Sequence, residues 1–128
     1  MTNMPPKPPA VLIVEDEPLI RMEAVYMMED AGFRTFDAAS AQDALALFDA
    51  HDDIGILFTD INMPGSMDGL QLAKIVHERR PEVSIMIASG AFDVEKLDLP
   101  KGACFFPKPY VTHQIMQALA QISGTAGR

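Results

Sequence analysis

Short apolar runs alternate with helical patterns along most of this 128-residue chain. The runs predict strands at about residues 10–14, 33–37, 54–59, 83–88 and 103–106. Apolar residues at helical spacing predict helices at about 17–31, from Ser40 onward, at about 67–80 and at about 110–122. Strands that alternate with helices favour a parallel sheet with helices on both faces, so we predict a doubly wound α/β protein.

One domain accounts for the pattern, over residues 10–122. Residues 1–9 are expected to be a disordered, Pro-rich lead, because prolines remove backbone donors and disfavour regular structure. Residues 123–128 are expected to be a flexible tail. A further short helix could form at 92–99, and Pro100 and Gly102 limit its length.

Charge and composition exclude several classes of function. A formal net charge of -8 argues against direct binding of nucleic acid. No apolar run approaches the roughly 20 residues of a membrane helix, and the N-terminus does not fit a signal peptide. We therefore expect a cytoplasmic protein with no membrane partner. The single cysteine, Cys104, cannot form an internal disulfide, and its apolar neighbours predict a buried, inert thiol.

Polar residues stand at the ends of four predicted strands, where α/β sheets bind ligands. They are Glu15 and Asp16, then Asp60, Ser89 and Lys108. Packed carboxylates need a counter-charge, since two unit charges 4 Å apart repel by roughly 4 kcal/mol at an effective dielectric near 20. The alternative to a functional cluster is that each residue has an ordinary structural role. Glu15 and Asp16 would then form a solvated acidic turn, Ser89 would be a turn serine, and Lys108 would be a surface lysine between two prolines.

These residue types suit phosphoryl transfer. Asp60 could be a nucleophile toward phosphorus, with Mg2+ on the acidic cluster and Lys108 neutralising the developing charge. The Ser89 hydroxyl could hydrogen-bond a phosphoryl oxygen. No Gly-rich phosphate loop is present, so a nucleotide site is not indicated.

Taken together, the motifs resemble the receiver domain of two-component response regulators over about residues 10–122. The motifs are Val14-Glu15-Asp16-Glu17, Thr59-Asp60-Ile61-Asn62-Met63-Pro64-Gly65, Asp68-Gly69, Ala88-Ser89-Gly90 and Pro107-Lys108-Pro109. The resemblance implies a five-stranded parallel sheet in the order 2-1-3-4-5 with five helices.

The resemblance also implies the chemistry of the site. Asp60 would take a phosphoryl group from a histidine kinase, a histidine phosphotransfer protein or a small phosphodonor. Asp16, Asp60 and the backbone carbonyl of Asn62 would bind Mg2+ (or Mn2+) directly, and Glu15 would act through water.

The same resemblance assigns the switch. Lys108 would pair with the phosphoryl group, and its bond to Pro109 is expected to be cis. Ser89 would move toward the phosphate, and Phe105 stands at the position of the family's aromatic switch.

The chain departs from the commonest family pattern at several positions. Glu15 replaces the more usual Asp, and Ser89 stands where Thr is often found. Ser66 makes the loop from Pro64 to Asp68 one residue longer than the usual form. Phe105 lacks the hydroxyl of the Tyr often present. The stretch from Ser89 to Lys108 is short, which leaves the length of the fourth helix open.

The prediction is therefore a phosphorylation-controlled interaction switch, not an enzyme. An unidentified effector would bind the face made by the fourth helix, fifth strand and fifth helix, and the protein would be a monomer or a phosphorylation-dependent dimer. Two alternatives stay open: a phosphate shuttle or sink, and a constitutive binding module independent of phosphorylation. Met1 and the tail favour a free-standing protein over a piece of a hybrid kinase.

Overall fold

Five parallel strands form one sheet in the computed structural model, which describes residues 9–63, 65–90 and 98–126 and only the backbone of 123–126. The strand order is β2-β1-β3-β4-β5, which confirms the predicted order. The strands are β1 (Ala10–Val14), β2 (Thr35–Ala38), β3 (Ile54–Asp60), β4 (Ser84–Ser89) and β5 (Cys104–Pro107).

The described part of the chain contains four helices, whereas five were predicted. They are α1 (Pro18–Asp30), α2 (Ala41–Ala50), α3 (Gly69–Arg79) and α4 (Thr112–Ala126). Most of the segment predicted as a short helix, residues 91–97, lies outside the described residues, and residues 98–103 form no helix. Gly102 has a φ of 83° and lies in a turn in this segment. The helix α4, which follows β5, corresponds to the fifth helix of the prediction. Within the described ranges, no helix is long and apolar enough to cross a bilayer.

Local sequence signals explain where three of the helices begin. Pro18 stands in the first turn of α1, where its missing N–H leaves no helical hydrogen bond unmade. The Ser40 side chain caps α2 by accepting a hydrogen bond from the backbone N–H of Asp43 at 3.2 Å. Asp68 and Gln71 form a reciprocal capping box at the start of α3.

The sheet separates two apolar layers, because successive residues of a strand point to opposite faces. Leu12 and Val14 of β1 pack in the layer that contains α2 and α3. Val11 and Ile13 pack in the layer that contains α1 and α4. Both faces are thus covered by helices, as the alternating sequence pattern predicts.

Some bounds of the helices and strands differ from the sequence prediction. β2 begins at Thr35, two residues later than expected, while Phe33 is buried just before it. α4 begins at Thr112 and its backbone continues to Ala126, four residues past the predicted end. The residues of the predicted lead before Pro9 lie outside the described part of the chain.

The prediction that Cys104 is buried is wrong, because its side chain is exposed. Cys104 begins β5, which lies at the edge of the sheet and, among the described strands, pairs only with β4. Phe106, two residues on and on the same face of the strand, is buried in the layer that contains α4. Hydrophobic neighbours in the sequence therefore mark the strand but do not bury its first residue.

Candidate functional site

Three carboxylates converge at the carboxyl ends of β1 and β3. Glu15 follows β1 directly and Asp60 ends β3, and these two strands are neighbours in the sheet. One oxygen from each of Glu15, Asp16 and Asp60 lies within 4.8 Å of the others. Glu15 and Asp60 are buried, at 5% and 8% exposure, so water screens their mutual repulsion only weakly.

Lys108 supplies the positive charge of this cluster. Its Nζ lies 2.7 Å from Glu15 Oε1 and 3.3 Å from Asp60 Oδ1. The backbone N–H of Lys108 donates to the carbonyl of Ser89 at 3.1 Å, which fixes the lysine against the end of β4. The Lys108–Pro109 peptide bond is cis, as expected.

Burial and charge act in opposite directions on these groups. Burial raises the pKa of the Asp60 carboxyl, and the nearby Lys108 ammonium offsets only part of that effect. For Lys108, burial alone disfavours the charged form, but the Glu15 and Asp60 carboxylates together outweigh it and raise the pKa of the ammonium. Lys108 is therefore a fixed cation beside Asp60.

Hydrogen bonds hold the backbone around Asp60. The Thr59 hydroxyl donates to the Asp60 carbonyl at 2.9 Å. The N–H of Ile61 donates to the carbonyl of Ala88 at 3.3 Å, and the N–H of Gly69 donates to the carbonyl of Ile61 at 2.9 Å. These bonds tie the end of β3 to β4 and to the start of α3, so the Asp60 carboxylate is presented from a fixed backbone.

Arg21 contributes to the site and was missed in the sequence. Its Nη1 donates to the backbone carbonyl of Glu15 at 2.8 Å, and its Nε pairs with Asp37 at 3.1 Å. Arg21 thus joins the end of β1 to β2 through one side chain. The available signal was a basic residue in the first turn of the helix after the acidic pair.

The remaining predicted residues occupy different environments. Ser89 is buried at the end of β4, on the same sheet edge as the carboxylates. Asn62 is exposed in the segment after β3. Phe105 is half-buried within β5 and packs in the apolar layer that contains α2 and α3. The structure thus brings Glu15, Asp16, Asp60 and Lys108 together, while Phe105 lies in the core layer and not in the acidic cluster.

The donor set fits a hard divalent cation. All three clustered ligands are carboxylates, which are the oxygen donors that Mg2+ takes while keeping several waters. Because two of the carboxylates are mostly buried, a cation there would add to the positive charge of Lys108, which does not fully offset the effect of burial on the Asp60 pKa.

Comparison with known proteins gives the family. The family model for the response regulator receiver domain matches residues 11–120. The chain is 31% identical over 116 residues to the sensor kinase CckA of Brucella abortus (strain 2308), covering 88% of this chain and 12% of that protein. It is 36% identical over 104 residues to the nitrogen assimilation regulatory protein NtrX of Azorhizobium caulinodans, covering 78% of this chain and 23% of that protein. The chain thus spans a minor part of these relatives.

A solved structure shows the same fold. A receiver domain protein from Clostridium thermocellum superposes with a TM-score of 0.83 at 21% identity, covering 91% of this chain and 95% of that one. Receiver domains are signalling modules that interact with histidine kinases and phosphotransfer proteins, and they bind Mg2+ at an acidic pocket. With the family match, the fold and the acidic cluster in agreement, the chain belongs to the response regulator receiver domains of two-component signalling.

Proposed function

We propose that this receiver domain accepts a phosphoryl group on Asp60 from a histidine kinase or a histidine phosphotransfer protein. The observation that carries the proposal is the position of Lys108, whose ammonium lies 3.3 Å from Asp60 in a cluster of three carboxylates. A surface lysine in a turn would not be buried against two acids. A phospho-acceptor needs such a cation beside the carboxylate that gains charge.

The reaction is an in-line displacement at phosphorus. An oxygen of the Asp60 carboxylate forms a bond to phosphorus while the phosphorus–nitrogen bond of the donor's phosphohistidine breaks. The imidazole leaves with the electron pair of that bond and takes up a proton from solvent if it is not already protonated. The product is an aspartyl phosphate, which adds charge and acceptor oxygens to the end of β3.

Glu15, Asp16, Asp60 and the backbone carbonyl of Asn62 are the proposed groups around a Mg2+ (or Mn2+) ion, with Glu15 acting through water. The ion supplies neutralisation of charge on the phosphoryl oxygens when it is bound. Asp60 would both help to hold the ion and carry the phosphoryl group. Lys108 then turns its ammonium from the carboxylates to a phosphoryl oxygen.

The proposed output is a change in a protein-binding face. The Ser89 hydroxyl would donate to a phosphoryl oxygen, since it stands on the same strand-end edge as Asp60. Phe105, half-buried in β5, would follow this movement by a change in ring burial. The face around β5 and α4 would then change its affinity for an effector protein or for a second copy of the domain.

Intact mass spectrometry after incubation with acetyl phosphate and Mg2+ tests the acceptor. We expect one phosphoryl adduct on the wild type and on Asp43→Asn, which alters an exposed carboxylate on α2, and none on Asp60→Asn. Chelation of the metal should abolish the adduct. An adduct that persists on Asp60→Asn would refute the assignment, as would a wild type that stays unmodified with both acetyl phosphate and a phosphorylated histidine phosphotransfer protein.

A further inference from the structure

The connection between β3 and α3 has an exposed tip, formed by Gly65 and Ser66. On either side of the tip, Met63 and Met67 are half-buried and pack in the apolar layer that contains α2 and α3. Gly65 has a φ of 110°, a conformation that glycine adopts without strain. The two methionines therefore anchor the connection to the core, and the tip projects between them.

Gln42 of α2 contacts this tip. Its Nε2 donates a hydrogen bond to the Ser66 hydroxyl oxygen at 2.7 Å. Its Oε1 lies close to the backbone of Gly65, since a Cβ added to that glycine would stand 3.3 Å from this oxygen. One side-chain amide therefore lies against two successive residues of the tip.

The backbone of Gln42 belongs to a well-anchored part of α2. Gln42 lies in the first turn of the helix, between Ala41 and Ala44, which are both fully buried. The Ser40 side chain caps the same turn by accepting a hydrogen bond from the N–H of Asp43. The contact therefore joins the exposed tip to a rigid helix.

The tip is also close in sequence to the proposed cation site. Asn62, whose backbone carbonyl is one of the groups proposed around the cation, directly precedes Met63 and lies two residues after Asp60. A connection that moves freely at its tip has more backbone freedom to lose when one of its carbonyls binds an ion. An anchor at Ser66 reduces that loss before the ion arrives.

We propose that Gln42 is a positioning residue: its hydrogen bond to Ser66 holds the connection between β3 and α3 and keeps the Asn62 carbonyl in place for a divalent cation. The inference rests on the proposed function in taking Asn62 as part of the cation site. Gln42 acts through the backbone of the connection and not by contact with the ion or the phosphoryl group.

A titration with Mg2+ followed by NMR, without any phosphodonor, tests this role. The proteins are wild type, Gln42→Ala, Ser66→Ala, the double variant and Ser66→Thr, which keeps a hydroxyl. Each single alanine variant should raise the Kd for Mg2+ about threefold, because one hydrogen bond makes a modest net contribution. The double variant should bind no more weakly than either single variant, since both substitutions remove the same contact. Ser66→Thr should bind like the wild type.

NMR relaxation of the backbone amides gives a second readout. Without Mg2+, the amides of Gly65 and Ser66 should be more mobile in Gln42→Ala and Ser66→Ala than in the wild type. Gln117→Ala is the matched control, because it removes an exposed glutamine from α4, whose buried residues pack on the opposite face of the sheet. This control should change neither the Kd nor the mobility of the tip.

Unchanged Mg2+ affinity or unchanged tip mobility in Gln42→Ala would overturn the proposal and leave the cation site standing. Additive losses of affinity in the double variant would also overturn it, because Gln42 and Ser66 would then act separately. A wild type that binds no Mg2+ would overturn the proposal together with the cation site. The phosphoryl adduct on Asp60, detected by intact mass, decides the acceptor assignment independently of these results.

Discussion

The backbone carbonyl of Asp60 lies directly against Gly69: a Cβ added to Gly69 would stand 1.7 Å from the Asp60 carbonyl oxygen. That distance is far inside van der Waals contact, and the obstacle is backbone and not the end of a flexible side chain. The first residue of α3 and the proposed acceptor strand can be this close only because residue 69 has no side chain. The glycine thus sets how α3 packs beneath the site.

Gly69→Ala should destabilise the fold by about 2 kcal/mol, because overpacking forces backbone shifts. The sign is diagnostic, since Gly→Ala in a helix ordinarily stabilises by roughly 0.5–1 kcal/mol. Urea unfolding measures the change. Gly90→Ala is the control, since its Cβ would meet the Lys108 side chain at an ordinary 3.4 Å. Equal stability of the wild type and Gly69→Ala would contradict the close approach.

The capping box of α3 supports the same region. The Asp68 side chain accepts a hydrogen bond from the Gln71 backbone N–H at 2.9 Å, and the Gln71 side chain accepts one from the Asp68 N–H at 2.9 Å. Asp68→Ala should lower the free energy of unfolding by about 1 kcal/mol, whereas Asp68→Asn, which keeps an acceptor oxygen, should lower it less. Chemical denaturation compares the two variants, and equal losses would argue against the capping role.

Arg80 connects α2 to the end of α3 at the opposite end of the sheet. Its guanidinium donates to the carbonyls of Asp52 at 2.8 Å, Phe48 at 3.0 Å and His51 at 3.3 Å, and it lies 3.8 Å from the centre of the Phe48 ring. Arg80→Met should cost about 2 kcal/mol of stability, because hydrogen bonds from a charged group to carbonyls in the last turn of α2 and just after it are lost. Thermal unfolding gives the measurement.

The adjacent Arg79 is the matched control for this prediction. It forms an exposed pair with Asp49 at 2.7 Å, and exposed ion pairs contribute less than about 1 kcal/mol. Arg79→Met should therefore leave the melting temperature nearly unchanged. A larger loss for Arg79→Met than for Arg80→Met would show that the carbonyl contacts of Arg80 are not what stabilises this end of the sheet.

The pKa of Asp60 predicts a pH-dependent stability. Because burial raises the pKa of this carboxyl above its ordinary 3.8, the folded protein binds the proton more readily than the unfolded chain. Its contribution to stability is present below pH 3.8 and is lost as the pH rises through the raised pKa. Asp60→Asn removes this loss, so the variant should be more stable than the wild type at neutral pH.

Urea unfolding in the presence of a chelator, at about pH 7 and about pH 4, measures the difference. The gain from Asp60→Asn should shrink toward the lower pH, while the exposed Asp43→Asn should show little change between the two. If the stability gain of Asp60→Asn grew as the pH fell, the pKa of Asp60 would be lowered in the folded protein, which contradicts the effect expected from its burial.

The sequence identifies the strand ends well because apolar runs and the polar residues that follow them give the same boundaries. Apolar runs mark the strands, and polar residues end β1, β3 and β4 at the sheet edge where Glu15, Asp60 and Ser89 are found. The parallel sheet, its two apolar layers and the Ser40 cap follow from the same rules. These features can be predicted from the sequence because strand runs, helical spacing and helix caps all depend on residues that are close together along the chain.

Contacts between distant segments could not be read in this way. The 2.7 Å pair joins Glu15 to Lys108 across 93 positions, and its closeness depends on side-chain length and strand register together. Arg21 and Arg80 likewise donate to backbone carbonyls of other segments. Nothing in the sequence distinguishes them from arginines that make no such contact. The prediction for Cys104 was wrong because apolar neighbours along the chain do not determine whether the first residue of an edge strand is covered.

Chemical location of the phosphoryl group tests the central claim most directly. An acyl phosphate on aspartate is reduced by borohydride to the alcohol, which converts the residue to homoserine and leaves other carboxylates unchanged. After treatment with a phosphorylated histidine phosphotransfer protein and Mg2+, followed by borohydride, peptide mapping should find homoserine at position 60 alone. Homoserine at position 16 or elsewhere, or stable phosphate on a serine such as Ser89, would contradict Asp60 as the acceptor.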